Sequence, residues 1–139
     1  MLQIAAEAPD FLKEDEVVRL YDSVGWTAYT QDRTSLMRAL GGSHRIVTAR
    51  DDTRLVGLAR SISDGVTIVY VQDVLVRPDT QRSGVGTQLI TALLDPYGSM
   101  RQQVLITDTE DYQRAFYESL GFTEVHDMNP ELRAFVRLR

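Results

Sequence analysis

The stretch VTIVYVQDVLVRPDTQRSGVGTQLITALL, residues 66–94, sets a Val- and Ile-rich run, a proline turn, two glycines and an amphipathic segment in that order. The run from Val66 to Val76 is more apolar than a half-exposed strand requires, so it reads as a central strand ended by Pro78. Beyond Gly84-Val85-Gly86, the spacing of Leu89, Ile90, Leu93 and Leu94 predicts a helix. That helix stops near Asp95, because the residue before Pro96 is pushed out of α geometry. Strand, glycine turn and helix together suit a phosphate cradle across Gln81, Arg82, Ser83, Gly84, Val85, Gly86 and Thr87. Two glycines admit close backbone approach, and the free N–H groups of a first helical turn favour anionic oxygens. Ser83 and Thr87 add hydroxyl donors, and Arg77 and Arg82 add local positive charge. The same residues also fit a tight turn that holds no ligand. A P-loop is excluded because Gly86-Thr87-Gln88 has no lysine, and a dinucleotide fingerprint because its third small position is Leu89.

Working outward, Val17, Val18, Leu20, Tyr21 and Val24 recur at helical spacing and predict an amphipathic helix over 13–24. A second helix carries Leu36, Met37 and Leu40, with Asp32 as N-cap and Gly41-Gly42 as its stop. Residues 44–50 and 54–60 alternate around Asp51-Asp52 as an antiparallel hairpin. Further along, 103–108 reads as a strand, Asp111–Leu120 as a helix with Tyr112, Phe116 and Leu120 on one face, and Gly121 as its cap. Two final strands are expected at Phe122–His126 and Leu132–Leu138, and an edge strand at Leu2–Ala6. The expected fold is mixed α/β: a mostly antiparallel sheet of about six or seven strands flanked by about four helices, in one domain over residues 1–139.

Composition narrows the function. The chain has 139 residues, 43% apolar and 25% charged, an ordinary balance for a globular domain that buries its own core. The absence of cysteine removes disulfides, thiolate metal sites and cysteine nucleophiles. The net charge is −5 and Lys13 is the single lysine, so no basic run is present to grip nucleic acid. No stretch approaches the ~20 apolar residues of a membrane span, and the N-terminal segment lacks the pattern of a leader. The cytoplasm is the expected location, with neither nucleic acid nor membrane as partner. His44 and His126 are the two imidazoles and form no cluster with metal spacing, so no metal is expected.

The run Gln81-x-x-Gly84-x-Gly86 resembles the Q/R-x-x-G-x-G/A motif of the GNAT N-acetyltransferase superfamily, following a lead-in at Asp73-Val74-Leu75-Val76-Arg77-Pro78. Residues 115–122, Ala-Phe-Tyr-Glu-Ser-Leu-Gly-Phe, resemble that family's late F-Y-x-x-x-G-F helix at the expected distance. With the order of elements, the similarity spans about residues 10–138. The stretches Val24-Gly25-Trp26, Leu55–Asp64 and Asp73–Val76 are also similar to small bacterial members and to serotonin-type arylalkylamine acetyltransferases. The resemblance implies acetyl-CoA as donor, with its pyrophosphate on the turn Gln81–Thr87 and its pantetheine arm along Val74, Leu75 and Val76. The thioester would lie in a slot between splayed strands, with Leu75-Val76 on one side and Thr107 on the other.

Acetyl transfer to an amine requires a neutral nucleophile, and an ammonium with pKa near 10.4 costs roughly 4–5 kcal/mol to deprotonate at pH 7. The leaving thiolate gains from a positioned acid. Tyr117 matches the tyrosine that family members use for this step and is also a cofactor contact in the resemblance; read from spacing alone, it is an amphipathic packing residue like Tyr112. Asp73, a carboxylate inside an apolar strand, is the candidate base, directly or through water. An arginine partner for Asp73 is the competing reading. His44 and His126 are lesser base candidates. The family's Asn-x-x-Ala is replaced by Glu110 and Gln113, so Gln113 is the candidate for the missing asparagine contact to CoA. Trp26 and Tyr29, and also Tyr70 and Gln72 from the opposite face of the strand to Asp73, are expected to line the acceptor site. The aromatic pair serves equally as core anchors. The expected reaction is direct acetyl transfer to a small primary amine, an arylalkylamine among the candidates. The competing functions are a non-catalytic acyl-CoA-sensing module and a structural domain. A homodimer through Leu132–Leu138 as an edge strand is a further expectation.

Overall fold

The computed structural model describes residues 1–81 and 83–139 and resolves into two compact units, Met1–Ile106 and Thr107–Arg139. In the first unit the order is β1 (Leu2–Ala6), α1 (Glu14–Ser23), α2 (Thr27–Thr30), α3 (Arg33–Gly41), β2 (Arg45–Asp51), β3 (Arg54–Ser63), β4 (Ile68–Val76), α4 (Val85–Leu94) and β5 (Gln102–Leu105). The strands form one mixed sheet in the order β1-β2-β3-β4-β5, antiparallel except for β4 with β5.

Sequence chemistry accounts for the element ends. Asp32 caps α3 by accepting from Ser35 N–H at 3.1 Å. β4 begins at Ile68 rather than Val66, because the Asp64 carboxylate accepts from the N–H groups of Val66, Thr67 and Ile68 and holds those residues in the turn. α4 ends at Leu94, ahead of Pro96 as the sequence predicts.

The core is two-sided. Val17, Leu20 and Tyr21 of α1 and Leu36 and Leu40 of α3 pack with Ile46, Leu58 and Leu75 of the sheet. On the other face a Cβ at Gly57 would meet Leu89 Cδ1 of α4 at 2.9 Å, so α4 rests almost directly on the β3 backbone. One irregularity decides which way the site residues point. Arg60 pairs with Asp73, but the next residue, Ser61, pairs with Val71, which leaves Gln72 as an extra residue on β4. This bulge reverses the parity of the strand. Val69 and Val71 share the face of Ser61, whereas Asp73 and Leu75 share the face of Arg60 and Leu58.

The second unit holds α5 (Asp111–Ser119) and a 3-10 turn over Val125–Asp127. The two strands expected at Phe122–His126 and Leu132–Leu138 are absent from the described residues, so the sheet has five strands rather than six or seven, with five α-helices rather than four. Glu124 and Asp127 bind Arg114 at 2.9 and 2.8 Å and draw their segment into a turn. Leu132–Leu138 has the alternation of a strand but no partner edge among the described residues, and Phe135 and Leu138 are 88% and 87% exposed. A period of two becomes a strand only where pairing and burial support it. The edge on which the expected homodimer relied is therefore not formed.

Candidate active site

Within the first unit the parallel pairing of β4 with β5 ends at Val71↔Leu105. Gln72, Asp73, Val74, Leu75 and Val76 run on without a β5 partner, while β3 still pairs the other edge of Asp73–Val76. A one-sided strand end of this kind offers backbone groups to an extended ligand arm, as peptide-binding sheet edges do. The turn that follows is held by its own side chains: Gln81 Nε2 donates to Val76 O at 3.0 Å and Ser83 Oγ donates to Thr80 O at 2.6 Å. Gln81, one of the expected cofactor contacts, thus spends an amide proton on closing the turn.

Gly84 is the N-cap of α4 with φ +80°, a left-handed conformation that favours glycine, and among the described residues a Cβ there would meet nothing within 4 Å. The space above it is open. Among the described residues no side chain caps the helix, and its first intrahelical bond is Gln88 N–H to Gly84 O at 3.1 Å, so the N–H groups of Val85, Gly86 and Thr87 have no partner within the helix. Ser83 and Thr87 are exposed beside them. Arg77 adds a cation at the end of β4; its Nε is buried without a hydrogen-bond partner among the described residues, with Asp79 Oδ1 3.7 Å away. Orphan donors, an open left-handed glycine and an underused cation fit the phosphates of acetyl-CoA. Arg82 lies outside the described residues.

On the face bearing α1, Asp73 is not a lone carboxylate. Arg60 Nε donates to its Oδ2 at 2.5 Å, Tyr21 Oη donates to Oδ2 at 3.0 Å, and Tyr29 Oη donates to Oδ1 at 3.0 Å. The ion pair is almost fully buried, the side chains being 6% and 3% exposed. Burial opposes the charge on Arg60, but attraction to Asp73 outweighs it and raises the guanidinium above its ordinary value. Burial, then the charge of Asp73, pushes the Tyr21 phenol well above 10. Both carboxylate oxygens of Asp73 are thus engaged by donors. Arg60 was not among the residues singled out from the sequence. An arginine in the middle of one apolar strand and a lone aspartate in the next were the available signal, and the hairpin register joins them.

Tyr29 stacks edge-on against Tyr21 at 5.2 Å and lies 6.2 Å from Trp26, whose ring is partly exposed. Tyr70 and Gln72, expected on the face opposite Asp73, lie on the same side. Tyr70 pairs with Ile62, whose face is that of Arg60, and Gln72 Nε2 donates to Tyr29 Oη at 3.3 Å. The reason for the correction is the bulge at Gln72, which periodicity does not disclose.

In the second unit Tyr117 is half-buried between Phe116 and Phe122, at ring distances of 4.9 and 6.0 Å. Burial, with the charge of Asp108, raises its phenol above the ordinary 10. Gln113 is half-buried on α5 and Thr107 is exposed ahead of it. His126 is exposed beside Glu124 and Asp127. His44, in the first unit, has Nδ1 2.6 Å from Tyr97 Oη, which is 2.9 Å from Ser61 Oγ on the α4 face. His44 therefore has its partners on the face of the sheet opposite Asp73, and His126 has its own within the second unit. Among the described residues no group of three or more His, Asp or Glu is placed to hold a metal, and no helix is long and apolar enough to cross a membrane.

Comparison with known proteins agrees with this geometry. Residues 13–134 match the family model described as an acetyltransferase (GNAT) domain. The uncharacterized N-acetyltransferase ycf52 of Porphyra purpurea is 31% identical over 116 residues, 81% of this chain; the chain spans 66% of that relative's length. A GNAT-family acetyltransferase from Streptococcus pneumoniae TIGR4 superposes with a TM-score of 0.84 at 31% identity, covering 100% of this chain and 98% of that one. An aminoglycoside N-acetyltransferase in complex with CoA shares the fold, with a TM-score of 0.71 at 18% identity over 100% of this chain and 95% of that one. From its motifs, the end of β4–β5 pairing at Val71 and these matches, the chain belongs to the GNAT acetyltransferase family.

Proposed function

We propose that the protein transfers the acetyl group of acetyl-CoA to the primary amine of a small molecule, by direct attack in a ternary complex. The observation that carries this reading is the free edge of β4 after Val71, leading into the uncapped N-terminus of α4. Acetyl-CoA supplies the thioester whose carbonyl the amine attacks, the C–N bond forming as the C–S bond breaks and CoA leaves as a thiolate.

The backbone of Val74, Leu75 and Val76 binds the pantetheine arm. The N–H groups of Val85, Gly86 and Thr87, with Ser83, Arg77 and Arg82, hold the diphosphate, and Gln81 keeps the turn in shape; Gln113 is a further contact. Tyr117, protonated throughout the neutral range, donates to the leaving sulfur. Its pKa exceeds the ~8.5 of a thiol, so its contribution is a hydrogen bond that stabilises the thiolate rather than complete proton delivery. The amine's proton passes to water, since Asp73 is held by three donors; the carboxylate acts on that path through the groups bound to it.

For the acceptor we propose a monoamine with an aromatic or apolar body, an arylalkylamine being the leading candidate. Trp26, Tyr29 and Tyr70, with exposed Ile62 paired to Tyr70 and exposed Ile68 on the same face of β4, supply apolar walls, and Arg60 cancels the charge of Asp73. Thr107 is a further acceptor-side residue in this reading. A polycation is disfavoured there, because its charges would need unpaired carboxylates. Thiol release measured with acetyl-CoA and a panel of arylalkylamines, aliphatic diamines, amino acids and an aminoglycoside tests the proposal. Release confined to arylalkylamines supports it. Acetyl-CoA binding without thiol release for any amine points instead to an acyl-CoA-sensing module.

A further inference from the structure

Asp73 gathers donors from three elements, and only one of them reaches the surface. Tyr21 and Arg60 are buried, whereas Tyr29 is half-exposed on α2, a four-residue helix with no buried residue of its own. The Tyr29 hydroxyl donates its single proton to Asp73 Oδ1, so toward any other group its oxygen can only accept. One lone pair takes the Gln72 amide at 3.3 Å, and Gln72 is the residue that the bulge throws outward on β4. Arg60 also bears on this oxygen, so an incoming N–H takes the place of the long, exposed Gln72 contact. The hydroxyl is thereby fixed, at the start of the unpaired part of β4, as a hydrogen-bond acceptor without net charge.

We propose that Tyr29 Oη accepts a hydrogen bond from the N–H of the acceptor amine, and that Asp73 and Arg60 are positioning residues that act through it. The inference rests on the acetyltransferase reading above and deepens it. An amine about to attack must keep its nitrogen lone pair free and direct an N–H elsewhere, and an oriented phenol oxygen meets that need. A free carboxylate would instead favour the unreactive ammonium. Neutralising Asp73 with Arg60 removes that penalty while keeping the carboxylate as the anchor of the phenol.

The test is steady-state kinetics with an accepted amine at saturating acetyl-CoA, together with calorimetric titration of acetyl-CoA. Tyr29→Phe is expected to raise KM for the amine about 3- to 10-fold, the worth of one hydrogen bond. The loss falls on KM rather than kcat, and the affinity for acetyl-CoA is unaltered. Asp73→Asn is expected to raise KM similarly, and the double variant to be no worse than the weaker single. An unchanged KM in Tyr29→Phe overturns the proposal, and this variant decides the matter even if Asp73→Asn fails to fold. A kcat lowered about 100-fold or more in folded Asp73→Asn, with Tyr29→Phe unaffected, makes Asp73 the base and also overturns it. Wild-type protein that binds no acetyl-CoA, or releases no thiol with any amine, overturns both this proposal and the reading beneath it; normal wild-type turnover with an indifferent Tyr29→Phe overturns this one alone.

Discussion

Arg60 Nε lies 2.5 Å from Asp73 Oδ2, across the β3–β4 ladder, and Tyr21 Oη donates to the same oxygen. Removing one member leaves the other charged and buried. Asp73→Ala or Arg60→Ala is expected to cost roughly 3–5 kcal/mol, whereas the paired apolar replacement Arg60→Met/Asp73→Leu costs much less than the sum. Urea unfolding of the three variants checks this; additive losses contradict it.

The buried phenol of Tyr21 predicts alkaline sensitivity. Its folded pKa lies above the ordinary 10, chiefly through desolvation and then through Asp73. Below pH 10 both states hold the proton and stability is unaffected. Above pH 10 the unfolded chain loses it while the folded one retains it, so stability falls by up to ~1.4 kcal/mol per pH unit until the folded pKa is reached. Tyr21→Phe is expected to flatten this slope in urea midpoints measured between pH 9 and 11. An equally steep decline in the variant contradicts the assignment.

Gly57 links packing to the cradle. A Cβ there meets Leu89 Cδ1 at 2.9 Å, Leu75 O at 3.2 Å and Ala49 Cβ at 3.3 Å. Two of these three contacts are too rigid to yield easily. Gly57→Ala is expected to cost about 1–3 kcal/mol by overpacking, and to weaken acetyl-CoA binding as α4 lifts from the sheet. An unshifted urea midpoint contradicts this account.

Tyr117→Phe keeps the ring between Phe116 and Phe122 and removes only the donor. The expected result is a kcat lower by about 10- to 100-fold, the worth of a charge-assisted hydrogen bond, with acetyl-CoA affinity unchanged. Because the phenol is held above 10, wild-type kcat shows no decline from this group as pH rises to 10. A falling limb near pH 8 that disappears in the variant assigns Tyr117 a much lower pKa and contradicts this role.

The elements legible in the sequence were those with local signals. Asp32, Pro78, Gly84 and Pro96 mark ends that backbone chemistry enforces, and the Val/Ile run identifies the central strand. What escaped depends on pairing. The bulge at Gln72, and with it the orientation of Asp73 and Tyr70, exists only in the register between β3 and β4. The four residues of α2 carry no periodicity to detect and have no side-chain cap. Leu132–Leu138 shows the converse, a strand-like alternation without a strand. The glycine turn was visible because a left-handed glycine and unsatisfied helix donors are properties of a few consecutive residues; an arginine partner for Asp73 was among the expectations, but that it is Arg60 was not legible, because the two lie 13 residues apart on different strands.

The most direct test of the central claim is a calorimetric titration of acetyl-CoA into the wild-type protein and Gly84→Tyr. Among the described residues no atom lies within 4 Å of a Cβ at position 84, so the new side chain starts into open space above the turn; the left-handed φ adds strain of about 1–2 kcal/mol. The account predicts binding to the wild type, weakened at least ~10-fold in a variant that retains the wild-type circular dichroism. Equal affinity in both proteins, or no binding by the wild type, contradicts it and leaves the glycine turn as a turn.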